Sequence, residues 1–177
     1  MGLGREKNHH FGVCSVSRRY YSDKLGGVRD SGLGIREEVE MAASKLAAKM
    51  KLKPGHRAAL VNAPNGYAKE LSPLPAGAKI APSLAGEFDW IQLFAKDQAE
   101  LKQLLPRAVK ALKVESILWL SFPKGGSKIQ TDLTRDKGWD VLKTFDMKWV
   151  TLISVNDTWS AFAVRRYRVG ERKQTWG

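Results

Sequence analysis

Between Arg57 and Arg166 the chain alternates short apolar runs with polar or helix-patterned segments, and this alternation restricts the fold more than any other feature. "RAALVNA" (Arg57–Ala63) and "FDWIQLFA" (Phe88–Ala95) are strand-length and rich in buried-type residues. "SILWLSF" (Ser116–Phe122) is a third such run, and "AKIAPSL" (Ala78–Leu84) a weaker one that Pro82 confines to an edge or a strand end. "KDQAELKQLLPRAVKALK" (Lys96–Lys113) has the apolar spacing of a helix, with Pro106 expected to kink it or start a second segment. "YAKELSPL" is expected to form a short helix. "TDLTRDKGWDVLKTF" (Thr131–Phe145) is expected to form another, capped by Thr131 or Asp132. "MKWVTLISV" and "SAFAVRRYR" read as a hairpin joined by "NDTW". Strand–helix alternation of this kind gives an α/β fold: a three-layer, mostly parallel Rossmann-like sheet, closed here by a C-terminal antiparallel hairpin.

Residues 1–34 differ from the rest. They are glycine-rich, polar and aperiodic, and are expected to be a flexible arm before a single α/β domain over 35–168 and a basic tail over 169–177. "IREEVEMAASKLAAKM" (Ile35–Met50) opens that domain as a helix, which "KPG" then breaks. "SRRYYS" weakly resembles a mitochondrial presequence cleavage site, although no amphipathic arginine-bearing helix precedes it.

The single cysteine, Cys14, cannot form an internal disulfide, which fits a reducing, cytoplasmic setting. No run approaches the ~20 apolar residues of a membrane-spanning helix, so no membrane partner is expected. The net charge of +12 is uneven: residues 101–177 carry 15 basic against 7 acidic residues. That surplus favours anionic partners and makes nucleic acid one of them.

Three turns are candidate sites. "NAPNGY" follows the first strand, where doubly wound sheets bind ligands, and contributes Asn62, Asn65 and Gly66. It lacks the G-x-G of a dinucleotide or adenosyl site, so no cofactor is expected there, and Gly66 is read as serving the turn. "PKGGSK" suits an anion: Gly125 and Gly126 can present N–H groups, Ser127 a hydroxyl, and Lys124 and Lys128 charge. Thr131 and Asp132 would open the next helix at the same rim. "VNDTWS" supplies the turn residue Asp157 and Trp159, which either stacks on a ring or packs into the core. Asp132, Asp136 and Asp140 are spaced to share a helical face, read as solvated. No nucleophile elbow, metal spacing or catalytic pair is present. His56, just before the first strand, is read as structural, and the paired His9 and His10 as a surface pair.

The segments "LKPGHRAALVNAPNGY", "LPAGAKI", "LWLSFPKGGSKIQTDLTRD" and "VNDTWSAFAV" closely resemble a bacterial family, the domain of unknown function numbered three thousand and fifty-two. The likeness runs from about Lys51 to Arg166. Asn156 departs from the acid that the family's pattern leads one to expect. The resemblance implies the fold and brings no activity with it. The topology also resembles a stripped-down core of S-adenosylmethionine-dependent methyltransferases. Three functions follow as expectations. The first is a non-enzymatic module that binds an anionic small molecule or a protein partner at the carboxyl rim of its sheet. The second is an RNA- or DNA-binding protein using the basic second half. The third is an atypical transferase.

Overall fold

The structure is a computed structural model and describes residues 43–174. The N-terminal arm, the two adjacent histidines, Cys14 and most of the helix expected from Ile35 lie outside those residues.

The elements run in chain order as helix α1 (Lys45–Lys49), strand β1 (Arg57–Val61), a 3-10 turn at Tyr67–Lys69, strands β2 (Lys79–Ala81) and β3 (Phe88–Phe94), helix α2 (Gln98–Lys110), strand β4 (Leu112–Pro123), a 3-10 segment at Asp140–Phe145, and strands β5 (Met147–Ser154) and β6 (Trp159–Arg166). The six strands form one sheet in the order β2-β1-β3-β4-β6-β5. The first four are parallel, while β6 pairs antiparallel with both β4 and β5. The Rossmann-like α/β reading with a closing hairpin therefore holds. β2, ending just before Pro82, is the edge strand that this proline permits.

Strand alternation sends side chains to two cores. Ile91, Leu93, Leu118, Leu120 and Phe122 face Leu101, Leu105 and Ala108 of α2 and Leu142 of the second 3-10 segment. Trp90, Phe94, Trp119, Ala161 and Ala163 face Ala47 and Met50 of α1 and Tyr67 and Leu71 beyond β1. The indole N–H groups of Trp90 and Trp119 both donate to the Met50 carbonyl at 2.9 Å. The free carbonyl at the end of α1 thus satisfies two buried donors from adjacent strands.

Three local expectations need correction. The "YAKELSPL" helix is one 3-10 turn, followed closely by Pro73 and Pro75, which cannot continue it. α2 runs through Pro106 without a break, so no second segment begins there, and its apolar side is buried at Leu101, Leu105, Ala108 and Val109 on both sides of the proline. Residues 131–139 form no helix, so Thr131 and Asp132 cap none of their own, and Asp132, Asp136 and Asp140 share no helical face. The cause is local competition for backbone donors. The Thr131 hydroxyl accepts from the Leu133 N–H at 3.0 Å, and the Thr134 hydroxyl accepts from Asp136 and Lys137. Gly138, at φ +100°, then turns the chain so that the Trp139 indole donates to the Thr134 carbonyl at 2.7 Å.

Candidate functional site

In a doubly wound sheet the ligand crevice lies at the carboxyl ends of the strands flanking the order reversal. Here that point is between β1 and β3, and the chain fills it with its own side chains. Asn62, in the left-handed region at φ 54°, donates from Nδ2 to the Phe94 carbonyl at 3.0 Å and to Glu100 Oε2 at 3.3 Å. Asn tolerates that conformation better than most residues. Gly66, at φ 81°, turns the chain so that Tyr67 is buried. The Tyr67 ring meets Phe94 edge-on at 4.6 Å, and Phe94 meets Trp159 at 5.0 Å. Tyr67 Oη accepts from Gln92 Nε2, which also donates to Ser121 Oγ, both at 2.9 Å. Burial raises the Tyr67 phenol far above its ordinary pKa.

The "NDTW" turn closes the same rim. Asn156 Oδ1 accepts from the backbone of Thr158 and Trp159, while its Nδ2 donates to both carboxylate oxygens of Glu70 at 3.1 and 2.9 Å. An acid at this position would face a second carboxylate. Trp159 is buried and Asp157 exposed.

The "PKGGSK" loop adjoins this packing through the "NDTW" turn. It leaves β4 and walls a cleft of about 890 Å³. Lys124, Gly125, Ser127, Lys128, Thr131 and Asp132 all line it, over a floor that includes Phe122 and Leu133. Lys124 is braced, its N–H donating to the Thr158 carbonyl at 2.8 Å and its Nζ to Ser154 Oγ at 2.9 Å. Lys128 is exposed and makes no ion pair among the described residues. Gly125 and Gly126 are exposed, neither lies in the left-handed region, and a Cβ on either would meet nothing within 4 Å. Neither glycine is required by the chain's own conformation. Asn62, Asn65, Gly66, Gly126, Asp157 and Trp159 do not line this cleft.

The amino end of α2 also reaches the cleft, with two of its donors already engaged. Asp97 Oδ1 accepts from the Glu100 N–H and Asp132 Oδ1 from the Gln98 N–H, each at 2.8 Å. Asp132 therefore caps a helix 34 residues earlier in the chain. Asp97, Arg135 and Leu152 also line it and were not singled out from the sequence. "KDQAE" does carry the signal for Asp97, a helix-capping acid three residues before a Glu. A second cleft of about 890 Å³ shares Arg135 and Leu152 and is walled by Trp139, Trp149 and Phe162. Its charges are partly spent in pairs, Arg135 with Asp136 and Lys143 with Asp140.

No His, Cys, Asp and Glu cluster suited to a metal occurs among the described residues, and none of their helices is long and apolar enough to cross a membrane. His56 lies at the amino end of β1, where it lines a smaller pocket of about 360 Å³ apart from these two clefts. Its Nδ1 accepts from the Lys53 N–H at 3.3 Å, and partial burial lowers its pKa.

Among solved structures, a fibrillarin pre-rRNA processing protein from Methanococcus jannaschii is similar at 13% identity and a TM-score of 0.50, over 66% of this chain and 69% of that one. A ribosomal protein L11 methylase from Lactobacillus delbrueckii subsp. bulgaricus matches at 14% identity and 0.46, over 83% and 91%. A magnesium protoporphyrin IX methyltransferase from Synechocystis, with bound SAH, matches at 10% and 0.43, over 83% and 91%. The chain shares a Rossmann-like α/β fold with the first of these. At these identities the likeness shows the fold alone. No protein-family model matches the chain, and no curated protein matches it either.

Proposed function

We propose that this chain is a non-enzymatic binding module. It keeps a methyltransferase-like fold without an adenosyl site and takes an anionic ligand in the cleft after β4. The anionic group sits on the loop from Lys124 to Lys128, with Gly125 allowing close approach. The observation that carries this reading is the pair of exposed glycines, flanked by two lysines, that the chain's own geometry does not need. The filled crevice between β1 and β3 supports the absence of an adenosyl cofactor. The anion does not sit on the amino end of α2, where Asp97 and Asp132 already take two of the donors.

The test is thermal unfolding and calorimetric titration with inorganic phosphate, nucleoside mono- and triphosphates, and S-adenosylmethionine. A phosphate-bearing ligand is expected to raise the midpoint by mass action. Lys124→Ala with Lys128→Ala should weaken it at least tenfold. Gly125→Ala with Gly126→Ala should leave the ligand-free midpoint unchanged and remove the ligand shift. Tight binding of S-adenosylmethionine, or shifts untouched by these substitutions, sinks the proposal.

A second reading, single-stranded nucleic acid along the two joined clefts, is favoured by the aromatic walls at Trp139, Trp149 and Phe162. It ranks lower because Asp136 and Asp140 pair with the nearby cations. It requires retention on RNA that falls steeply with salt.

A further inference from the structure

β5 is the outer strand of the sheet, so one of its edges faces away from β6. Such an edge is a template for another strand unless something guards it. The sequence of β5, "MKWVTLIS", contains no acid, proline or glycine, and its one charge is Lys148. Val150 and Leu152 are 39% and 37% exposed.

The segment after β6 turns back along this edge and is pinned by charge. Glu171 accepts from Lys148 Nζ at 2.5 Å and from the Arg165 guanidinium through both oxygens at 2.7 and 2.8 Å. It also accepts from the Arg168 N–H at 3.1 Å. Lys173 pairs with Asp146 at 2.8 Å, and the Gln174 N–H donates to Tyr167 Oη at 2.9 Å. The Gln174 side chain is thereby delivered to the backbone of Trp149. The Trp149 N–H donates to Gln174 Oε1 at 2.9 Å, and Gln174 Nε2 donates to the Trp149 carbonyl at 3.3 Å. One donor and one acceptor on the same strand residue is the exchange that a residue of an adjoining antiparallel strand makes. The side-chain amide stands in for the peptide group of a seventh strand.

We propose that residues 168–174 are an edge guard: they keep β5 from pairing with β5 of a second copy of this chain. A second copy is the fitting occupant because antiparallel pairing of one edge with itself closes a two-fold dimer, each copy offering the same groups. The exposed Val150 and Leu152 of the two copies would lie beside one another across the axis.

The test compares the native chain with Gln174→Ala and with Glu171→Ala plus Gln174→Ala. Mass is measured by light scattering across a wide concentration range, and hydrogen exchange is followed at β5. The native chain should be a monomer. The double variant should exchange the Trp149 amide faster when dilute and double its mass when concentrated. Adding Leu152→Lys should return it to a monomer. Gln174→Ala alone, a change at an exposed side chain, should show a weaker shift in the same direction and covers the case in which the double variant does not fold. A native dimer through β5, faster Trp149 exchange with no gain in mass, or unchanged exchange in both variants would each overturn the proposal.

Discussion

Gln92 is the most informative single residue to change, because it sits under the crevice that a cofactor would occupy in this fold. It is fully buried on β3, and its Oε1 has no hydrogen-bond partner. Flipping the amide does not help, since its two neighbours are the hydroxyls of Tyr67 and Ser121, and one amide atom is left over in either orientation. Gln92→Met keeps the volume, loses two neutral hydrogen bonds worth about 1 kcal/mol each, and relieves an orphan acceptor costing about 1–3 kcal/mol. It also leaves the buried Ser121 hydroxyl without its Gln92 partner. The single change should cost about 1–2 kcal/mol, and adding Ser121→Ala should bring stability back to within about 1 kcal/mol of the native chain. The assay is urea unfolding followed by tryptophan fluorescence, with the slope unchanged. A loss above about 4 kcal/mol that Ser121→Ala does not restore would refute the reasoning, because Oε1 would then have a partner of real value.

Asn156→Asp should destabilise by about 1–2 kcal/mol at neutral pH, because it replaces two donors to Glu70 with a like charge. The deficit should shrink in chemical unfolding as pH falls through the carboxylate range. Gly138→Ala should cost about 1–3 kcal/mol in thermal unfolding, since φ is +100° and the added Cβ would lie 2.7 Å from Leu133 Cδ2. Tyr67 holds its proton more tightly folded than unfolded, chiefly because it is buried. Its contribution is therefore complete below pH ~10 and lost as pH rises beyond that. An ultraviolet titration should show its phenolate appearing only with alkaline unfolding, and an earlier appearance would contradict the buried placement.

The sheet was legible from residue pattern alone because a strand buried on both faces must be apolar along its length, and "FDWIQLFA" and "SILWLSF" could be little else. The hairpin was legible for the same reason, together with the turn chemistry of "NDTW". Gly66 was readable as a turn residue, and its φ of 81° gives the physical ground. The segment from Thr131 to Trp139 was misread. A threonine followed by an aspartate looks the same whether it caps the helix that follows or one elsewhere in the fold.

What the sequence determined by itself was therefore local: which runs are strands, where turns fall, and the basic surplus of the second half. Tertiary structure decided everything that depends on a distant partner. It brought Asp132 to the first N–H of α2. It set Tyr67 into the crevice between β1 and β3, and it carried Gln174 back to the edge of β5. Each of these contacts joins residues at least 25 positions apart through hydrogen bonds whose donor and acceptor types are common along the whole chain. Spacing along the sequence therefore carries no trace of them, and only the packing of the sheet selects which donor meets which acceptor.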